Sequence, residues 1–553
     1  MRRLFTIGTF LAGLAAALLA PAAAQAETPI ENPCAVPVSI DDYGLKEFKN
    51  PPDVESVGSV LTTTLDLRYS DPAITKIGQC GLTLRTYNGG LVGPTLRVKP
   101  GDLMKITVKN NLPVDPMCRN SDGSGDMDMS HAPEVYNVTN FHTHGLHVSP
   151  GNNPNGTHSD NIFVTICPGT SAQFEVRVPA NHPPGTFWYH AHVHGSTAIQ
   201  VSSTVEGAII IKGGLDEVPQ IKAAKDQIFV LQQISYDATG RIEDDQTMYE
   251  NWERTGSRTL VNGQLVPLIT MRPGELQRWR MIHAGVDESL FVKTSGGPLY
   301  EIATDGIALG RIDTWRSTID LEPGYRSDVL FKAPMKTGRY YFATAKIPPS
   351  LSLQTETLRA LKSGFEPGTD AKWIVAVDVK GTPNDMPLPT PAELRPLAPY
   401  KPITTSELTG REQNLTFTLD LAKCSGSGPC TPCTDESDPE CTYKFMVDWY
   451  VYPNGPTRSL KLNTASKWTL DVTPKGDAHP FHVHVNHFEM VRLGPDGKDE
   501  TVWKDTLMVR AGEPLKYRVI RSRYTDFAGA FVLHCHILPH EDQGMMQKVE
   551  IVP

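Results

Sequence analysis

Leu96-Arg97-Val98-Lys99-Pro100-Gly101-Asp102 leading into Lys105-Ile106-Thr107-Val108-Lys109 is the stretch that decides the fold. Apolar and polar residues alternate on both sides of a Pro-Gly-Asp break, which is the period of a half-buried strand, a turn and a second strand. The pattern returns in Met271-Arg272-Pro273-Gly274-Glu275 before Gln277-Arg278-Trp279-Arg280-Met281. A weaker third copy reads Trp468-Thr469-Leu470-Asp471-Val472 before Pro474-Lys475-Gly476. Three copies of one strand-turn-strand pattern predict an all-β chain of three consecutive β-sandwich domains.

Composition agrees. Hydrophobic residues are 39% and charged residues 21%, which excludes wholesale disorder, and Gly and Pro at 45 each favour many short strands. A net charge of −10 argues against a nucleic-acid partner, because neutralising phosphates takes clustered Lys and Arg. Gly213-Gly214 closes the first unit after the apolar strand Ala208-Ile209-Ile210-Ile211. Seven prolines in the twenty residues from Pro383 to Pro402 read as a semi-rigid surface linker. The expected organisation is a signal peptide over 1–26, sandwiches over 27–213 and 214–382, a linker over 383–402, and a third sandwich over 403–553.

Met1-Arg2-Arg3, an apolar run from Leu4 to Ala20, and Ala24-Gln25-Ala26 form an export leader with a small-residue cleavage site, too short for a membrane anchor. Arg2-Arg3-Leu4-Phe5 partly matches a twin-arginine signal, and the general route stays open beside it. The mature chain is expected to begin at Glu27, in the periplasm or outside the cell, without a membrane anchor and as a monomer. Cys34, Cys80, Cys118, Cys167, Cys424, Cys430, Cys433 and Cys441 suit four disulfides in an oxidising space, their connectivity unread. The last four lie in one polar insert, where two local disulfides are preferred over a zinc site. Cys535 stands apart.

Sixteen of the seventeen histidines fall between His131 and His194 or between His479 and His540, with only His283 outside. Four His-x-His pairs stand out: His142/His144, His190/His192, His482/His484 and His534/His536. On a strand, such pairs project from one face, ~6–7 Å apart, and two pairs at each end of the chain point to a shared metal cavity. Cys535, between His534 and His536, leaves on the opposite face. With His479, His540 and Met545 it supplies the thiolate, two imidazoles and weak thioether of a blue-copper site.

Asn140-Phe141-His142-Thr143-His144-Gly145, Trp188-Tyr189-His190-Ala191-His192, His479-Pro480-Phe481-His482-Val483-His484 and the run His534-Cys535-His536-Ile537-Leu538-Pro539-His540-Glu541-Asp542-Gln543-Gly544-Met545 resemble the four copper-binding segments of multicopper oxidases. Gly93-Pro94-Thr95-Leu96 and Asn262-Gly263-Gln264 are similar to the family's first- and second-domain signatures. The likeness covers nearly all of the mature chain and is nearest to the bacterial laccase-like members. It implies three cupredoxin-like Greek-key sandwiches and four coppers. The type 1 ion takes His479, Cys535 and His540 with Met545 axial, Met546 being the rival axial group. Type 2 takes His142 and His482; the type 3 pair takes His144, His190, His192, His484, His534 and His536. The second domain then serves as a spacer. His131, His147, His158, His182 and His487 are expected outside the ligand sets, with His194 near them.

The resemblance implies a four-electron oxidase, in which single electrons from a small reductant pass through Cys535 and O₂ becomes water. It also implies proton donors at Glu541 and at Asp160, which opens Asp160-Asn161-Ile162-Phe163-Val164-Thr165-Ile166-Cys167-Pro168. Phenolic donors are favoured over Cu(I), since the nearest approach to a methionine cluster is Met127, Met129 and His131 with Met117 nearby. A cuprous oxidase or copper-resistance protein of the same family is the alternative. A two-domain nitrite reductase would lack the four complete pairs.

Overall fold

The structure is a computed structural model. It describes residue 34 and residues 45–553 apart from 79, 115–117, 119–135, 243, 245–247, 249–257, 317, 345–372, 436 and 474–476. The leader, Met117, Met127, Met129, His131 and Pro474-Lys475-Gly476 lie outside the described residues.

Each unit is a pair of sheets closed over an apolar core. In the first, the sheet Arg85–Tyr87, Val60–Tyr69, Leu103–Asn110 and Ser171–Arg177 faces the sheet Asp53–Glu55, Thr95–Val98, Glu206–Ile211, Gly185–His190 and His142–His144. Leu103–Asn110 runs parallel to Val60–Tyr69 and antiparallel to Ser171–Arg177. Its even positions are buried while Lys105 and Lys109 are exposed, as the alternation requires. In the second unit Leu276–His283 takes the same place, parallel to Lys225–Ile234 and antiparallel to Arg326–Lys332. Every residue of that strand is buried, however, because its outer face packs against the first unit. Arg278 and Arg280 are tolerated there by pairing with Asp328 and Asp226.

The third unit corrects the sequence reading. Thr464–Thr473, not the strand after it, holds the equivalent place, parallel to Gln413–Lys423 and antiparallel to Val519–Tyr524. The matching turn is therefore at Asn463, one strand earlier than expected. Asn463 has φ 62°, where Gly101 and Gly274 have 91° and 76°. Asparagine tolerates this left-handed backbone better than most residues, so the repeat survives without its Pro-Gly signature.

Between the units, Pro383–Pro402 carries two short helical turns, Pro391–Leu394 and Arg395–Leu397. Thr390 N donates to Glu393 at 2.7 Å and Pro391 opens the turn. Leu394 is buried against Leu276, Ile302 and Leu330 of the second unit. The cysteines pair as Cys34–Cys80, Cys118–Cys167, Cys424–Cys430 and Cys433–Cys441, so the polar insert holds two local disulfides rather than a zinc quartet. Cys535 is the free thiol among the described residues.

Candidate metal centre

Two antiparallel strand pairs bring the histidines together. His142–His144 pairs with Gly185–His190, setting His142 opposite His190. Ala478–Val483 pairs with Gly529–Cys535, setting His482 opposite His534 and Phe481 opposite Cys535. The two ends of the chain then interleave. His142 stacks on His484 at 3.9 Å between ring centroids, and His144 on His482 at 3.8 Å. All eight of these imidazoles are buried.

They sort into small sets. His144, His190 and His536 bring ligand atoms within 4.8 Å of one another, as do His192, His484 and His534, and also His142, His144 and His482. The second nitrogen of several rings is already engaged. His142 Nδ1 lies 3.1 Å from both Asp160 oxygens, and Asp160 Oδ1 accepts Thr143 N–H at 2.7 Å. His190 and His534 point Nδ1 at the carbonyls of Ala191 and Cys535, at 2.9 and 3.0 Å. His482 Nδ1 faces Asp505 O at 2.9 Å. His144 is turned the other way: its Nε2 faces Asp505 Oδ1 at 3.2 Å. These contacts fix tautomers and leave lone pairs facing the cavity.

The cavity-facing nitrogens fit a metal. His142 Nε2, His144 Nδ1, His190 Nε2 and His482 Nε2 are buried without a hydrogen-bond partner. His534 Nε2 faces His192 Nε2 at 3.1 Å and His484 Nε2 at 3.4 Å. Since His534 Nδ1 faces a carbonyl, its Nε2 presents a lone pair toward these two rings, as a metal ligand must. Burial pushes His190 down to about 3, so the ring is neutral and available as a ligand.

The second set comes from the third unit alone. Cys535 Sγ lies 3.5 Å from His479 Nδ1 and 3.8 Å from His540 Nδ1, and the two nitrogens are 3.2 Å apart. Burial raises the Cys535 thiol well above its ordinary range, so only a bound cation makes it a thiolate here. Burial holds His479 and His540 down, at about 4 and about 3. His479 and Cys535 are enclosed, whereas His540 is partly exposed against Phe445, ring centroids 4.7 Å apart. Met545 is fully buried in the apolar cluster that holds Cys535, while Met546 packs with Ile162 and Val532.

Glu541, on the short helix Leu538–Asp542, is fully buried 3.8 Å from His194 Nδ1, and burial pushes its carboxyl up to about 8. Asp160 is likewise raised by burial, to about 7, against the opposing pull of the Thr143 N–H. Four further histidines have partners elsewhere: His147 with Asp526, His158 with Asn152, His182 with His147 N–H, and His487 with Tyr400.

Sequence reasoning passes over Asp505, Asp542 and Arg326. Asp505 reaches His144 and, at 3.5 Å, His482. Asp542 accepts the N–H groups of Gly195, Thr197 and Ala198 at 2.7–3.1 Å, tying the segment after His192 to the segment after His536. No spacing marks them, though Asp542 directly follows Glu541. The second unit contributes no residue to the sets named above, yet it lies close to them. A Cβ at Gly324 would come within 3.0 Å of His536 and 3.2 Å of His144, so this unit reaches the cavity wall.

Three sandwiches with a buried His/Cys/His set, coupled through one strand to an eight-histidine cavity, define a metal-dependent oxidoreductase. Models of the multicopper oxidase family match residues 131–215, 235–363 and 437–553. The chain is similar to the multicopper oxidase mco of Staphylococcus aureus, 26% identical over 486 residues covering 84% of this chain and 83% of that protein. It is similar to a laccase of Bacillus subtilis (strain 168), 26% identical over 515 residues covering 84% and 89%. The solved multicopper oxidase of Campylobacter jejuni superposes with a TM-score of 0.65 at 22% identity, over 93% of this chain and 97% of that one. The chain belongs to the multicopper oxidase family, with cupredoxin-like domains. It is a copper-dependent oxidoreductase that oxidises small reductants and reduces O₂.

Proposed function

We propose that the chain is a laccase-like oxidase of phenolic or similar small donors, holding four coppers. His479, Cys535, His540 and Met545 would hold the mononuclear ion. His142 and His482 would hold the type 2 ion, and His144, His190, His192, His484, His534 and His536 the type 3 pair. Bound copper supplies one-electron oxidation of the donor and four-electron reduction of O₂ to two waters. The observation that carries this reading is Cys535 itself: its thiol faces one set while its chain neighbours His534 and His536 face the other.

The residues divide the work. His540 presents a partly exposed ring to an incoming donor, and His479, Cys535 and Met545 keep water out behind it. Asp160 holds His142 in position from the first unit. We assign two buried carboxyls, Asp160 against His142 and Glu541 near His194, as proton donors to the reduction of O₂. Phenols are favoured over Cu(I) because Met446, Met490, Met508, Met545 and Met546 of the third unit are buried, offering no thioether at the surface. We also propose export as a monomer without an anchor. In support of export, the described residues hold four disulfides.

Copper analysis with an absorption spectrum of the purified protein tests the assignment. Four coppers per chain, an intense visible band and a near-ultraviolet shoulder are expected; one copper, or no blue colour, overturns it. Turnover of substituted phenols against Cu(I) then decides the donor.

A further inference from the structure

We propose that Arg326, from the second unit, is a positioning residue for the histidine cavity: it grips Asp505 of the third unit, and Asp505 in turn fixes His144 of the first. Arg326 is fully buried. Its Nη1 donates to Asp505 Oδ1 at 2.8 Å and to Gly324 O at 2.9 Å. Its Nη2 donates to Asp505 Oδ2 and, at 2.9 Å, to Asp305 O. Both carboxylate oxygens of Asp505 are thus taken by one planar fork, which sets the plane of the carboxylate.

That plane has a consequence for His144. Asp505 Oδ1 lies 3.2 Å from His144 Nε2, so this ring donates from Nε2 and turns a bare Nδ1 to the cavity. His142, His190, His482 and His534 do the reverse, engaging Nδ1 outside and presenting Nε2. The Asp505 carboxylate engages the inverted ring at Nε2, whereas His482 takes the Asp505 backbone carbonyl at Nδ1. Thr506 Oγ1, donating to Asp505 Oδ1 at 2.8 Å, completes the cradle.

The backbone is shaped to admit this grip. Gly145, directly after His144, has φ 84°, and a Cβ there would collide with Arg326 Nη2 and Asp505 Oδ2. Arg326 N–H donates to Asp305 Oδ1 at 3.0 Å, and Asp305 Oδ2 accepts the N–H groups of Asp505 and Thr506 at 3.2 and 3.3 Å. One buried knot therefore ties all three units at the wall of the cavity. The mononuclear set, drawn from the third unit alone, supplies an internal control.

This inference rests on the copper assignment above, and copper titration of the apoprotein tests it. The probe is copper alone with a competing chelator, read by metal analysis and by near-ultraviolet and visible absorption. Arg326→Met should weaken copper binding at the histidine cavity by about 10–100-fold, the usual cost of losing a group that orients a ligand. The near-ultraviolet absorption of the type 3 pair, which His144 would serve, should weaken while the blue band keeps its wild-type intensity. Arg326→Lys should recover part of the loss, returning charge without the two-pronged grip. Unchanged cavity affinity in Arg326→Met overturns the inference, as does equal loss at both sets. If Arg326→Met does not fold, Asp505→Asn carries the same expectation, and wild-type affinity there overturns it equally. A wild-type chain that leaves the cavity empty fails the copper assignment itself; a wild type and an Arg326→Met that both load fully fail this inference alone.

Discussion

The two ligand sets differ in how much of the chain must come together to make them. His479, Cys535, His540 and Met545 all come from the third unit: His479 and Cys535 from adjacent strands, His540 from the short helix that follows, and Met545 from the apolar cluster that holds Cys535. The histidine cavity takes rings from both ends of the chain, and its wall takes Gly324 and Arg326 from the middle unit. The first set is a property of one domain. The second exists only when three domains are correctly docked, and damage at a distance should reach it first.

The largest expected effect severs the connection between them. Cys535→Ser removes the soft thiolate, so the intense visible band should vanish and turnover should fall to near background. The eight cavity histidines remain, and metal analysis should still find about three coppers. A blue or fully active Cys535→Ser protein would sink the division into two sets.

The next test leaves both sets loaded and asks which one limits turnover. In excess copper, Glu541→Gln and Asp160→Asn should load fully and keep the blue band, while turnover drops at least tenfold, toward the about 10²–10⁴ that a positioned acid contributes. Anaerobic stopped-flow reduction of the blue copper by substrate should stay near wild type. Slowing of that step, with O₂ reduction intact, would remove both carboxyls from the cavity's chemistry.

A smaller effect is confined to the single-domain set. Met545→Leu should keep the blue colour and raise the reduction potential, because a weak donor to copper is lost. Met546 shares its packing with Ile162 and Val532, so Met546→Leu should leave the potential unchanged. The opposite pattern in a redox titration would exchange the two methionines.

The smallest effect concerns Glu513, in the third unit near Arg510 and Arg518. Burial raises its carboxyl from 4.5 to about 7. A raised carboxyl is stabilising in its neutral form, so that contribution is full below about 4.5 and is lost as pH rises through about 7. From pH 5 to pH 8 the thermal midpoint of the wild-type apoprotein should therefore lose ground to that of Glu513→Gln, both sharing the opposite slope that the buried histidines impose. Equal slopes would mean that Glu513 titrates as an ordinary surface acid.

Much of this was legible before any coordinates. Four His-x-His pairs and Cys535 declare themselves because a strand places alternate residues on one face, a purely local rule. The first two Pro-Gly turns were readable for the same reason, and the third was misplaced because Asn463 does a glycine's work with no proline beside it. Asp505 and Arg326 were invisible. They are 179 residues apart, neither sits in a periodic pattern, and their meeting depends on how the domains dock. Asp160 and Glu541 fall between these cases, found by motif and not by any rule of spacing.

The strand Gly529–Cys535 carries one last implication. His534 lies opposite His482 and Cys535 opposite Phe481, and side chains change face at every residue. A slip of one position would turn a thiol into the histidine cavity and an imidazole into the blue site, spoiling both at once. The tripeptide is thus a register lock. Insertions or deletions between Gly529 and His536 should be lethal to function even where the sandwich still folds.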